Sequence, residues 1–470
     1  MEATKARVIV IPPLGGTERE VAEFFAPAPL LSNMYLSKTW SPVSTTWSPD
    51  GRWVITSAGA SAGTASAIWM FSADGAERRQ ITVPAVGLSD FYPELSPDGR
   101  TLAFVRGSVA LTSALYVLPL TPDLKPIGEP RRLASANDVI AGLAWTVDGA
   151  GIVFSSSRGG AQALWQAALS GSPSHRLSVG ENGIFHAISA RTKRLIYSQS
   201  VTDSNIWRLN LRDRSEPGVP LLASTRVDNN PSYSPDGKRI AFESSRSGNQ
   251  EVWVADADGS NAVQLVHMGR SGSPRWSPDG QRIAFDSNVP GNFQIYSVSS
   301  RGGRPEQMTN SPGANARPSW SHDGKWIYFG STQSGSWQIW KVPSGGGGPQ
   351  QVTRSGGQTA FESPDGKTLY YTKLSSTPCP LWKMASGGGE ESQVVESITT
   401  ASFAVTHGGA YFVSWPRIQY FDFFTGQSTT VLMLQKYTEI GLSVSPDERW
   451  LLYIQNDQAV SDLMLVENFR

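Results

Sequence analysis

The 470-residue chain has one cysteine, Cys379, which excludes an intramolecular disulfide and any zinc site built from several cysteines. Cys379 stands between Pro378 and Pro380 and reads as a surface thiol in a loop. Neither sign of charge is in excess, with 40 Lys plus Arg against 40 Asp plus Glu, so no basic surplus draws nucleic acid or an anionic membrane face. No apolar run is long enough to read as a membrane-spanning helix. The N-terminus lacks the apolar stretch of a signal peptide. The absence of disulfides suits the cytoplasm and the periplasm alike. Histidine is scarce, at 5 residues. P-loop, dinucleotide, EF-hand and H-E-x-x-H motifs are missing, so no cofactor is expected.

What the chain has in abundance is a repeat. Ser-Pro-Asp-Gly starts at Ser48, Ser96, Ser234, Ser277 and Ser363, with Ser-His-Asp-Gly at Ser321. Each copy lies in a longer unit recurring about every 40–50 residues, the mark of one supersecondary unit copied along the chain. The unit is clearest from Pro231 to Phe242, continuing through Glu251-Val252-Trp253-Val254 and Asp258-Gly259 to Val263-Gln264-Leu265. Pro-Asp-Gly makes a tight turn, because Pro presets φ, Asp bonds its own backbone and Gly accepts positive φ. Ile240-Ala241-Phe242 and Val252-Trp253-Val254 are β-branched and aromatic strand sequences. Four short antiparallel strands in series make a propeller blade, so the fold class is all-β, a β-propeller of four-stranded antiparallel blades.

Aligned on the residue before the turn, ten units are anchored at Trp47, Leu95, Trp145, Ile188, Tyr233, Trp276, Trp320, Glu362, Val405 and Val444. The turn is degenerate at Thr146, Ser189, Thr406 and Ser445, while later strands such as 163–165, 205–209, 418–421 and 462–465 support those units. Residues 7–22 read as the last two strands of a further half repeat, so a longer parent protein is expected. Propellers commonly have about four to eight blades. The expected partition is therefore an incomplete propeller over 1–173 and a seven-bladed propeller over 174–470. Residues 175–178 would supply the fourth strand of the last blade and close the ring.

The run Trp276-Ser277-Pro278-Asp279-Gly280-Gln281-Arg282-Ile283-Ala284-Phe285-Asp286-Ser287 resembles the signature of the TolB-like, or WD40-like, β-propeller family, and the resemblance covers almost the entire chain. It implies a bacterial interaction or sensor module. Such propellers often form the C-terminal part of larger regulators with a membrane anchor, placing the propeller in the periplasm or otherwise outside the cytoplasm. Metal-dependent polysaccharide lyases on related propellers use a histidine cluster, which makes a lyase or hydrolase working through the channel the enzymatic alternative. His186, at the start of a first strand, is the histidine expected to approach the channel.

Gly59-Ala60-Ser61-Ala62-Gly63 matches the G-x-S-x-G pattern, but it joins two strands of a blade with no helix behind it and reads as a flexible loop. No catalytic residue and no metal ligand set is expected. The remaining candidate surface is set by geometry, since loops leading into the first strands gather at one mouth of the channel, and loops on a rigid scaffold tend to carry function. Asn229, Asn230, Arg275 and Arg317 are expected there. Arg246, in a recurring Ser-Ser-Arg, could bind a partner's carboxylate or make a structural bond to the neighbouring blade. The expected function is non-enzymatic binding of a protein or peptide.

Overall fold

The structure, a computed structural model, describes residues 5–11, 17–25, 44–59, 65–85, 88–108, 113–136, 140–158, 162–189, 191–213, 215–289, 292–373 and 378–469. These residues form strands and turns and no helix. The repeated tetrapeptide shows why. Ser234 Oγ donates to Asp236 Oδ1 at 2.5 Å and accepts the N–H of Arg239 at 2.9 Å, while Asp236 Oδ1 accepts the N–H of Lys238 at 3.1 Å. The Gly237 N–H closes the turn on Ser234 O at 2.9 Å, with Gly237 at φ 68°, a left-handed conformation that glycine adopts without strain. The same bonds recur from Ser48, Ser277, Ser321, Ser363 and Ser445, and from Thr146 in the degenerate copy. The hydroxyl bond, then the backbone N–H, holds each turn aspartate below its ordinary value, and Asp323 falls to about 2.

The turn fixes the register of the first two strands, and the blade follows. In the fifth blade Asp228–Tyr233, Arg239–Ser244, Glu251–Asp256 and Val263–Gln264 pair in order, all antiparallel. All ten anchor residues stand at or next to the end of a first strand, as expected of a β-propeller built from these repeats. Side chains alternate between neighbours. Ile240 and Phe242 pack with Leu452 and Ile454 of the tenth blade, while Ala241 packs with Ile283 and Phe285 of the sixth. The indoles of Trp276 and Trp320 reach back a blade, each donating to a main-chain carbonyl, Ser232 O and Arg275 O, at 3.1 Å.

The strands divide the chain differently from the expected partition at 173/174. They form two compact units, Met1–Ser200 with Ser461–Arg470, and Val201–Val460. Unit two has six blades rather than seven among the described residues, its first strands touching in sequence from Asp228–Tyr233 round to Leu442–Val444 and back. A Cβ on Gly237 would meet Pro446 at 3.5 Å, so the turns of the fifth and tenth blades abut as those of other neighbours do. The tenth blade takes its inner strands from Leu442–Val444 and Trp450–Val466, and its outer ones from Arg194–Asn210 and Val219–Leu222. Residues 175–178 do not close it. They belong to His175–Glu181, which pairs with Ala163–Ala168 as the local fourth strand of the third blade.

The misreading has a physical cause. Residues 200–204 and 456–460 hold no Gly or Pro to reverse the chain, so Arg194–Asn210 and Trp450–Val466 each continue as one strand of 17 residues. Each strand gives one part to each unit, and 462–465 is therefore not the third strand of the tenth blade. At the other end, Lys5–Val10 and Arg19–Phe25 form the expected antiparallel half repeat, with Val21 and Phe24 packed against Val54 and Phe71 of the first blade.

The turn chemistry predicts a ranking. Gly237→Val or Gly280→Val, both at φ 68°, will cost about 1–3 kcal/mol in denaturant melts. Gly345→Val, with open space around it, will cost less than about 0.5 kcal/mol. A reversed order would refute this account of the turn.

Candidate functional site

The first strands of unit two line its channel, and those of the fifth, sixth and seventh blades each carry an irregularity that shapes the site. Pairing slips between Asn229 and Ser232, between Gly272 and Arg275, and between Ala316 and Ser319. At these β-bulges Asn230, Ser273 and Arg317 adopt φ of 49°, 53° and 57°. Each is followed by proline, which has no N–H to give to the ladder and so tolerates the break. The bulge also turns the left-handed residue's own N–H out of the sheet.

Buried carboxylates receive those N–H groups. Ser273 N donates to Glu243 Oε2 at 3.2 Å, and Arg317 N donates to Asp286 Oδ2 at 2.7 Å. Glu243 Oε2 also accepts Asn230 Nδ2 at 3.0 Å. Glu243 and Asp286 occupy the same place in successive blades, one residue beyond Ile-Ala-Phe, and both are buried. Burial pushes the Asp286 carboxyl up to about 7, opposed by the Arg317 N–H and guanidinium.

Two arginines lie among these acids. Arg275 reaches past the seventh blade so that its guanidinium stands 5.2 Å from the Phe361 ring of the eighth, and it donates to Pro274 O at 2.7 Å. Arg317 donates to Gln358 Oε1 at 3.1 Å and Thr359 Oγ1 at 3.2 Å. Burial lowers both guanidinium pKa values, Arg275 to about 10, while Asp286 and Glu243 oppose the fall. Neither guanidinium makes an ion pair among the described residues, and Asp286 and Glu243 act on them only at longer range.

The structure thus brings Asn230, Arg275 and Arg317 together around Glu243 and Asp286, and corrects what was expected of the rest. The supposed leading loops are strands, and Asn229 is buried at 2% exposure with no partner for its Oδ1 among the described residues. Arg246 is held inside its own blade, both Asp228 oxygens lying 2.9 Å from its Nη2, with Phe242 and Trp253 each 5.2 Å from the guanidinium. The same device recurs as Arg106 with Asp90, Phe104 and Tyr116.

Cys379 is buried at the start of the strand Cys379–Ala385 rather than exposed in a loop, because it pairs with Ile398 of the outer strand, and burial pushes its thiol up to about 11. His186 lies in unit one, its Nε2 2.8 Å from Val153 O, and burial drives it down to about 4, so its imidazole is neutral. Among the described residues no three His, Cys, Asp or Glu side chains are grouped to hold a metal ion. Ala60 to Gly63 of the G-x-S-x-G match lie outside the described residues.

Glu243, Asp286, Gln358 and Phe361 were missed. The signals were present: an acid directly after Ile-Ala-Phe in two blades, and an x-Pro step in each bulged strand.

The profile of a family described as TolB beta propeller domain matches residues 36–271 and 266–413. Among solved structures, a protein assigned as TolB from Agrobacterium tumefaciens is 22% identical, covering 55% of this chain and 99% of its own, at a TM-score of 0.45. TolB from Acinetobacter baumannii is 19% identical over 72% of this chain and 79% of its own, at 0.32. An oligogalacturonate lyase in complex with manganese is 12% identical over 79% and 98%, at 0.33.

The buried acid gives a pH dependence of definite sign. The folded Asp286 value, about 7, lies above its ordinary 3.8, so its contribution to stability is complete below about 3.8 and is lost as pH rises through about 7. Asp286→Asn carries no such titration. Its stability relative to the parent will therefore improve steadily in denaturant melts taken from about pH 4 to about pH 8. A constant difference across that range would contradict the assignment.

Proposed function

Because the chain belongs to the TolB beta propeller domain family, we propose that it is a non-enzymatic module that binds a protein or peptide through the channel of unit two. One observation carries the proposal: Arg275 and Arg317 hold guanidiniums in the channel without an ion-pair partner among the described residues, on strands whose bulges are fixed by Glu243 and Asp286. Burying a charge is costly unless it is paired, and a ligand's acceptors would provide that pairing. Arginine also presents its donors in a planar fork suited to carboxylates and backbone carbonyls. Family membership supports an extracytoplasmic site of action, as the sensor part of a bacterial protein. No helix among the described residues is long and apolar enough to cross a membrane.

The test is to capture partners on the intact chain and titrate them. Arg317→Glu will weaken binding by about 1 kcal/mol or more, because it reverses a charge at the contact. His267→Ala, at an exposed imidazole, will leave binding unchanged. If the purified protein instead cleaves polyuronate in a metal-dependent way, the chain is an enzyme and this reading fails.

A further inference from the structure

The repeat breaks at two adjoining places in unit two, and the breaks depend on each other. Position 322 is histidine where the complete turns have proline, and the eighth blade ends its first strand in Phe361-Glu362 where its predecessors have Arg275-Trp276 and Ser319-Trp320. Those tryptophans bridge back to the preceding blade through their indole N–H. Glu362 cannot do so. Its Oε1 accepts Tyr328 OH at 2.7 Å and its Oε2 accepts the His322 N–H at 2.7 Å. The second bond exists only because residue 322 is not proline.

Where an indole is missing, a space remains. A pocket of about 220 Å³ opens at the turn-side end of the channel, with Arg275, Ser319, Trp320, His322, Phe361 and Glu362 in its lining. The volume suits a single side chain or a small organic acid and is below the usual range for larger ligands, about 300–1,000 Å³. The Arg275 guanidinium, 5.2 Å from the centre of the Phe361 ring, has Pro274 O as its one hydrogen-bond acceptor among the described residues. The negative charge of Glu362 is tied to two donors of its own.

We infer that this pocket binds a carboxylate, seated on Arg275 against the Phe361 ring. An anion there forms charge-assisted hydrogen bonds to a guanidinium already desolvated by its surroundings. A cationic ligand would meet Arg275 as a like charge. The carboxylate can come from an acidic side chain of a polypeptide or from a free small acid. The inference deepens the channel reading by naming a ligand chemistry, but it requires no captured protein partner and does not involve Arg317.

The experiment titrates the full chain at neutral pH with sodium glutarate, with the blocked tripeptide acetyl-Gly-Glu-Gly-amide, and with glutaramide as the uncharged control. Binding is read by calorimetry and by the fluorescence of the pocket tryptophans. Saturable binding of at least one acid, and none of glutaramide, is expected. Preference for the tripeptide would identify a polypeptide source, and equal or better binding of glutarate a small acid. Arg275→Gln should weaken binding by about tenfold or more. The double change His322→Pro with Glu362→Trp restores the repeat, leaves both arginines in place and fills the space, so it should fold and lose binding. If Arg275→Gln fails to fold, the double variant still decides. The inference is overturned if neither acid binds saturably, if glutaramide binds as well as the acids, or if the double variant binds undiminished.

Discussion

Each turn that keeps the repeat depends on one hydroxyl at the end of its first strand. Ser234 satisfies its own turn from both directions, accepting from Arg239 N and donating to Asp236, which in turn accepts Lys238 N. Leaving such groups unpaired costs about 1–3 kcal/mol each when they are buried, which explains why serine or threonine stands here whenever the aspartate does. The bond chain sets which residues of the first two strands face each other. That register decides that Ile240 and Phe242 look one way and Ala241 and Glu243 the other. A slip of one residue would exchange those faces and bury the wrong set. Packing between blades is therefore downstream of the turn.

The same register places the acids of the channel. Glu243 and Asp286 follow Ile-Ala-Phe directly and face the next blade, where the bulge of its first strand presents an N–H with no ladder partner. Carboxylate and bulge solve each other's problem: one needs donors to be buried, the other needs an acceptor. Blades without an acid at this position, such as the seventh with Gly330, use close backbone approach instead, for a Cβ there would meet Gln358 O at 2.4 Å. The two arginines then lie in a channel whose polar lining is fixed by main-chain bonds.

Much of this was legible in the sequence because its causes are local. The ten repeats, the antiparallel half repeat at the N-terminus and the turn glycines follow from four consecutive residues and alternating strands. Closure was not legible, because the tenth blade joins strands about 250 residues apart, as Asn205 to Asp457 at 2.8 Å shows. Apart from sequence proximity, which favours the nearer partner, nothing near His175 signals that its strand pairs with Ala163–Ala168 and not with the last blade. Cys379 misled because two flanking prolines suggest a loop, yet proline is tolerated at the beginning of a strand. Asn229 and Asn230 misled because their polarity suggested solvent, whereas a bulge and a buried carboxylate take them inward.

In a protein made of copies, recurrence separates scaffold from function. Arg246 and Arg106 stand two places apart in the repeat, yet each pairs with an aspartate from its own first strand and lies over a pair of aromatic rings, so their charge is already used to hold the blade. Arg275 and Arg317 recur nowhere in the same role: where Arg275 stands before its tryptophan, the seventh blade has Ser319, and where Arg317 occupies its bulge, the sixth has Ser273. The scaffold stands without arginine at those positions in neighbouring blades, so folding alone does not account for two partly buried guanidiniums there. The same reasoning applies to His322, Phe361 and Glu362, which leave the repeat at one corner of one channel and open a pocket where an indole would otherwise lie. The positions that the repeat does not require are those at which this chain can have been shaped for a ligand.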